Sequence, residues 1–128
     1  MNMIARGQRV RRRRGRLTRP PQQGVIYVGR PTLWGNPFTG RCSGHAKSII
    51  LHRRWLSGGL GALSLERMGF CPSEIESLGR LRERVLINLH RLAGKDLSCW
   101  CPLTSEWCHA ETLLDMAPHY AQLEAHAA

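Results

Sequence analysis

Three thiols and an imidazole fall within one short stretch of this chain, Cys99-Trp100-Cys101-Pro102-Leu103-Thr104-Ser105-Glu106-Trp107-Cys108-His109. Two chemistries suit such a set. Cys99, Cys101, Cys108 and His109 could complete a tetrahedral Cys₃His zinc site, zinc being the one cofactor the residue types suggest. The spacing is unusual for zinc, because knuckles separate their paired ligands by two or more residues and adjacent Cys108-His109 needs a strained bite. The second chemistry needs no metal. A cysteine at a helix start is exposed to unpaired backbone N–H groups and to the positive end of the helix dipole, which favour its thiolate. Cys108 would then be a nucleophile, with His109 carrying a proton for it. Both readings stay open at this point, and Cys99 also suits a plain core position.

A second group of residues belongs to the bend Gly29-Arg30-Pro31-Thr32-Leu33-Trp34-Gly35-Asn36-Pro37-Phe38. Its two Gly and two Pro exclude a regular element, so it is a shaped loop. Arg30 offers a fork for phosphate or carboxylate, Trp34 a face for a base, and Asn36 an amide for a base edge or ribose. With Gly29 and Gly35 these residues would form one wall of a ligand pocket. Taken singly, Trp34 suits packing and Asn36 suits a turn. Their meaning depends on whether this bend and Cys101, Cys108 and His109 wall one pocket.

That requires the elements to place them together. Val25–Val28 reads as a buried strand between glycines, and Leu97–Cys101 as a second strand closed by Pro102. Were these neighbours and parallel, both loops would leave from the carboxyl edge, where open α/β sheets bind ligands. Helical spacing is expected over 46–56, with Ile49, Ile50, Trp55 and Leu56 inward. It is clearer from Ser73 to Leu92, where Ser73 and Glu76 suggest a capping box and Gly94 a stop. Residues 57–70 read as a flexible connection. A last helix should start near Cys108, with Leu113, Met116, Tyr120 and Leu123 inward and Pro118 a kink or break. The expected fold is α/β, a small single-layer sheet with flanking helices and a third strand not evident from the residues.

The charge is uneven. The chain of 128 residues has a formal net charge of +10. Residues 1–65 hold thirteen basic and no acidic side chains, and residues 66–128 six basic and nine acidic. Residues 1–23 read as a basic arm, disordered in isolation, and 24–128 as one domain. Within the arm Arg9, Arg11, Arg12, Arg13, Arg14 and Arg16 suit a phosphate backbone, so nucleic acid or a nucleotide is the expected partner. No run approaches the roughly 20 apolar residues of a membrane span. Five cysteines without an apolar leader predict a reducing, cytoplasmic setting. Cys42 and Cys71 suggest no role.

Taken together, Val28-Gly29-Arg30-Pro31, Trp34-Gly35-Asn36-Pro37-Phe38, Gly94-Lys95-Asp96-Leu97 and Cys99-Trp100-Cys101 followed by Cys108-His109-Ala110 resemble the family catalogued as domain of unknown function 4326. The resemblance runs from about Gln8 to Met116. It implies a small single-domain protein of bacterial, phage or mobile-element type, and it supplies no reaction. Two departures stand out: Gly15-Arg16-Leu17 lacks the family's tryptophan, and Glu111 replaces an aspartate. The leading expectation is a Cys/His pocket that binds or modifies a nucleotide or nucleic-acid component. The alternative is a zinc-stabilised nucleic-acid module without enzymatic activity.

Overall fold

The computed structural model describes residues 6–11, 24–38, 44–99 and 108–127. In chain order the elements are β1 (Arg9–Arg11), β2 (Val25–Tyr27), α1 (His45–Leu56), α2 (Ala62–Arg67) and α3 (Pro72–Asn88), which runs into a 3₁₀ turn over Leu89–Leu92. β3 (Asp96–Cys99) and α4 (His109–Ala127) follow. The strands form one parallel sheet in the order β1-β3-β2. The α/β expectation is met, with a small sheet flanked by helices.

β3 is central, paired with β1 on one side and β2 on the other, and is the most buried of the three. Leu97, Ser98 and Cys99 are all buried, as a strand packed on each side requires. β2 lies beside it with Ile26 opposite Leu97, and the Val28 amide continues the ladder by donating to the Ser98 carbonyl at 3.0 Å. The missing third strand is β1, inside the stretch read as a disordered arm. Arg9, Val10 and Arg11 pair with Leu97, Ser98 and Cys99. Arg-Val-Arg carries no apolar signal, and what orders it is backbone pairing plus an anchor before it. The Leu97 amide donates to the Gln8 carbonyl, and the Gln8 amide donates to Asp96. Gly7 lies so close to the Lys95 carbonyl that any Cβ there would overlap it.

Other expectations are corrected. The connection 57–70 contains α2, whose Leu65 is buried in the core. The box at the start of α3 lies two residues earlier than Ser73: the Cys71 amide donates to Glu74 at 3.0 Å, and Pro72 occupies the first turn, where it lacks no hydrogen bond. α4 runs unbroken through Pro118, and Leu123 is 50% exposed rather than inward. Ile50 also faces outward, so the buried face of α1 is Ser48, Ile49, Leu51, His52, Trp55 and Leu56. The core gathers Leu56, Leu89, Leu92, Leu97, Leu113 and Leu114 between α1, the 3₁₀ turn, β3 and α4. No helix among the described residues is long and apolar enough to cross a membrane.

Candidate functional site

Because β2 and β3 are parallel neighbours, Val28 and Cys99 end them side by side at the carboxyl edge. α4 opens at the same edge. The His109 ring reaches across to the Val28 carbonyl, with Nε2 at 2.7 Å from the oxygen. A carbonyl can only accept, so Nε2 carries the proton and Nδ1 is left for other work. The strand that leads into the Gly29–Phe38 bend therefore holds the imidazole of the corner some eighty positions later. This contact joins the His109 corner to the end of the strand from which the bend leaves.

Cys108 stands immediately before α4, buried, with its sulfur 3.1 Å from that of Cys99. The thiol is pulled down to about 3, first by the hydrogen bond from Cys99, against the opposing effect of burial. Hydrogen bonds from the His109 side chain and the Ala110 amide pull the same way. These are the groups that stabilise an anion at a helix start.

The corner includes a residue the sequence reading missed. His52 of α1 is 1% exposed, with its ring 5.7 Å from that of His109 and perpendicular to it. Its Nδ1 has no hydrogen-bond partner among the described residues. Burial first, then the neighbouring His109 and Arg53, push the His52 imidazole down to about 3, so it is neutral at ordinary pH. Its position three before Trp55 and four before Leu56 is the signal that could have placed it on the inner face.

The bend itself is held mainly by its own polar groups. Asn36, expected to read a base, is buried and spends its side chain internally: Nδ2 donates to the Ser48 carbonyl at 3.1 Å, and Oδ1 accepts from the Phe38 amide at 2.9 Å. These bonds tie the bend to α1 one turn before His52. Thr32 closes a turn onto the Gly29 carbonyl through both its amide and its hydroxyl. Gly29 and Gly35 are close-contact positions, the first against the Tyr27 ring and the second against Arg30. Arg30 is exposed and Trp34 half-buried.

The arm residues divide. Arg9 is turned inward with its side chain 7% exposed, and its Nε lies 3.7 Å from Glu111. That position suits an internal ion pair better than the phosphate contact expected of it. Arg11 lies in β1, and Arg12, Arg13, Arg14 and Arg16 lie outside the described residues. Arg6, ahead of the strand, pairs with Glu111 and with Asp115 at 2.9 Å; Arg53 of α1 takes the other Asp115 oxygen at 2.8 Å. Glu111 thus reaches both Arg6 and Arg9.

Cys101, the fourth expected zinc ligand, also lies outside the described residues. Among the described residues no group of three or more Cys, His, Asp or Glu is arranged to hold a metal ion. Two thiolates on a tetrahedral zinc sit about 3.8 Å apart, given Zn–S bonds of about 2.3 Å. The 3.1 Å between Cys99 and Cys108 is the shorter spacing of two sulfurs sharing a proton. A cleft of about 330 Å³ lies elsewhere, lined by Pro37, Phe70, Ser73, Glu74, Ser77 and Leu78.

Fold and corner together define a small parallel α/β protein with a buried thiol–imidazole pair at the carboxyl edge of its sheet. The chain belongs to the family described as Domain of unknown function (DUF4326), whose model matches residues 10–119. No curated protein and no solved structure matches it.

Proposed function

We propose that this protein binds or modifies a nucleotide or nucleic-acid component at the carboxyl edge of its sheet, with Cys108 as nucleophile and His109 as its proton carrier. The observation that carries this reading is the run Val28 carbonyl, His109, Cys108, Cys99 laid across the start of α4. The Val28 contact holds the Nε2 proton, so the other ring nitrogen is the one that can take a proton from the thiol or return one to a leaving group. The opening amides of a helix favour an anionic group beside the thiolate, and a phosphate is the simplest such group. Exposed Arg30, on the loop leaving the same edge, supplies a fork for it. The basic first half of the chain would draw a polyanion toward this face.

Calorimetric titration of natively purified protein with nucleoside phosphates and short oligonucleotides tests the reading. Cys108→Ala and His109→Ala should abolish binding or turnover while each keeps its thermal midpoint within a few degrees. Unchanged binding in both variants, or unfolding of both, refutes it.

A second reading is supported by the two adjacent sulfurs of Cys99 and Cys108 and the neighbouring His109 imidazole, donors of the kinds that zinc takes. In that reading zinc held by Cys99, Cys101, Cys108 and His109 staples a nucleic-acid-binding module. Zinc at one per chain in the same preparation, with unfolding when it is chelated, would select it.

A further inference from the structure

We propose that Cys99 and Cys108 form a redox couple that a small hydroperoxide closes to an intramolecular disulfide, joining the end of β3 to the start of α4. The proposal stands on the placement of the two sulfurs and does not depend on which ligand the site takes. They lie 3.1 Å apart, in reduced form, on elements fixed by the sheet and by the core. A disulfide needs about 2.05 Å, so closure requires a movement of only about 1 Å, within reach of small side-chain rotations. The roles of the two thiols differ. Cys108 is served by His109 and by the Ala110 amide at a helix start, while Cys99 sits at the end of a buried strand and donates to it. That asymmetry makes Cys108 the attacking sulfur and Cys99 the resolving one.

The steps balance. The Cys108 thiolate attacks one oxygen of the hydroperoxide; the O–O bond breaks, the other oxygen leaves as an alcohol or water after taking a proton, and Cys108 becomes a sulfenic acid. The Cys99 sulfur then attacks the Cys108 sulfur. The S–S bond forms, the S–O bond breaks, and hydroxide leaves with the Cys99 proton as water. Two thiols are oxidised and one peroxide is reduced by two electrons. Both residues are about 1% exposed, which favours the smallest oxidant, hydrogen peroxide, over a peptide disulfide. While the bridge is closed, Cys108 is unavailable as a nucleophile.

The test treats the full-length chain with hydrogen peroxide, alkylates the remaining thiols and cleaves after Glu106, which separates Cys99 from Cys108. The expected product is one disulfide per chain, assigned to Cys99 and Cys108 by fragmentation and reversed by dithiothreitol. Cys101→Ala should still form it. Cys99→Ala should instead leave a Cys108 sulfenic acid that dimedone traps. A disulfide from Cys108 to Cys101 or Cys71, or equal dimedone labelling of wild type and Cys99→Ala, overturns the proposal. So does glutathione disulfide closing the bridge as fast as peroxide. Because the wild-type cross-link is the primary reading, a failure of Cys99→Ala to fold leaves the test intact.

Discussion

Acid should unfold this protein in part through His52. Its imidazole is 1% exposed and is pushed down to about 3 by burial, with His109 and Arg53 adding to the effect. In the unfolded chain the same group titrates near 6.5. Between those values the unfolded state binds a proton that the folded state refuses. The stability is therefore fully present above about pH 6.5 and is lost as pH falls toward 3. Linkage gives a loss of about 2 kcal/mol by pH 5, with a ceiling of about 5 kcal/mol below pH 3, at roughly 1.4 kcal/mol per pH unit. Urea unfolding at a series of pH values from 7 to 5 reads the effect while most carboxylates stay ionised; the lowered Cys108 thiol adds a slope of the same sign over that range, so the comparison is made in a Cys108→Ser background. In that background His52→Leu, close in volume, should remove most of the remaining slope. In the wild type, the His52 ring resonances should not titrate above about pH 4. Equal slopes in the two proteins, or a His52 resonance titrating near pH 6.5, would refute the reasoning.

Cys108 should hold a thiolate at pH 6, visible as ultraviolet thiolate absorbance that Cys108→Ser lacks; identical spectra would contradict the hydrogen-bonded geometry. Asn36→Ala leaves the buried Phe38 amide without its partner and takes from the Ser48 carbonyl its bond to the bend, and should cost about 1–3 kcal/mol in urea unfolding. Asp115→Ala removes the shared partner of Arg6 and Arg53, both partly exposed, so it should cost at most about 1 kcal/mol and less in high salt. The same change should speed hydrogen exchange at Leu97, whose amide bonds to Gln8 beside the anchored arm. Neutralising Arg12, Arg13, Arg14 and Arg16 together should lower the salt dependence of DNA binding by about 3–4 in log–log slope, at about 0.9 per phosphate contact. This change spares β1, whereas deleting the arm would also remove a strand. An unchanged slope would exclude these four arginines from phosphate contact.

The parts of this molecule legible in its sequence are those whose signal is local. β2 is marked by a β-branched and aromatic run between glycines, α3 by three- and four-residue apolar steps, and α4 by its start after Cys108. The clustering of thiols beside an imidazole is likewise a property of adjacent residues. β1 had no such mark: Arg-Val-Arg becomes a strand because Leu97 and Gln8 pair across nearly ninety positions and because Arg6 finds carboxylates on α4. α2 was hidden because one buried leucine is too little periodicity to reveal a helix. His52 was passed over because a histidine among charged neighbours reads as surface until Trp55 and His109 are seen around it. Asn36 kept its importance and changed its work, since only the approach of α1 gives its amide the Ser48 carbonyl to hold. By itself, then, the sequence determined which side chains carry reactive groups and the type of its strongly patterned elements. The tertiary structure decided which of them meet: contacts between distant residues follow from the packing of whole elements, and no short window of residues encodes that.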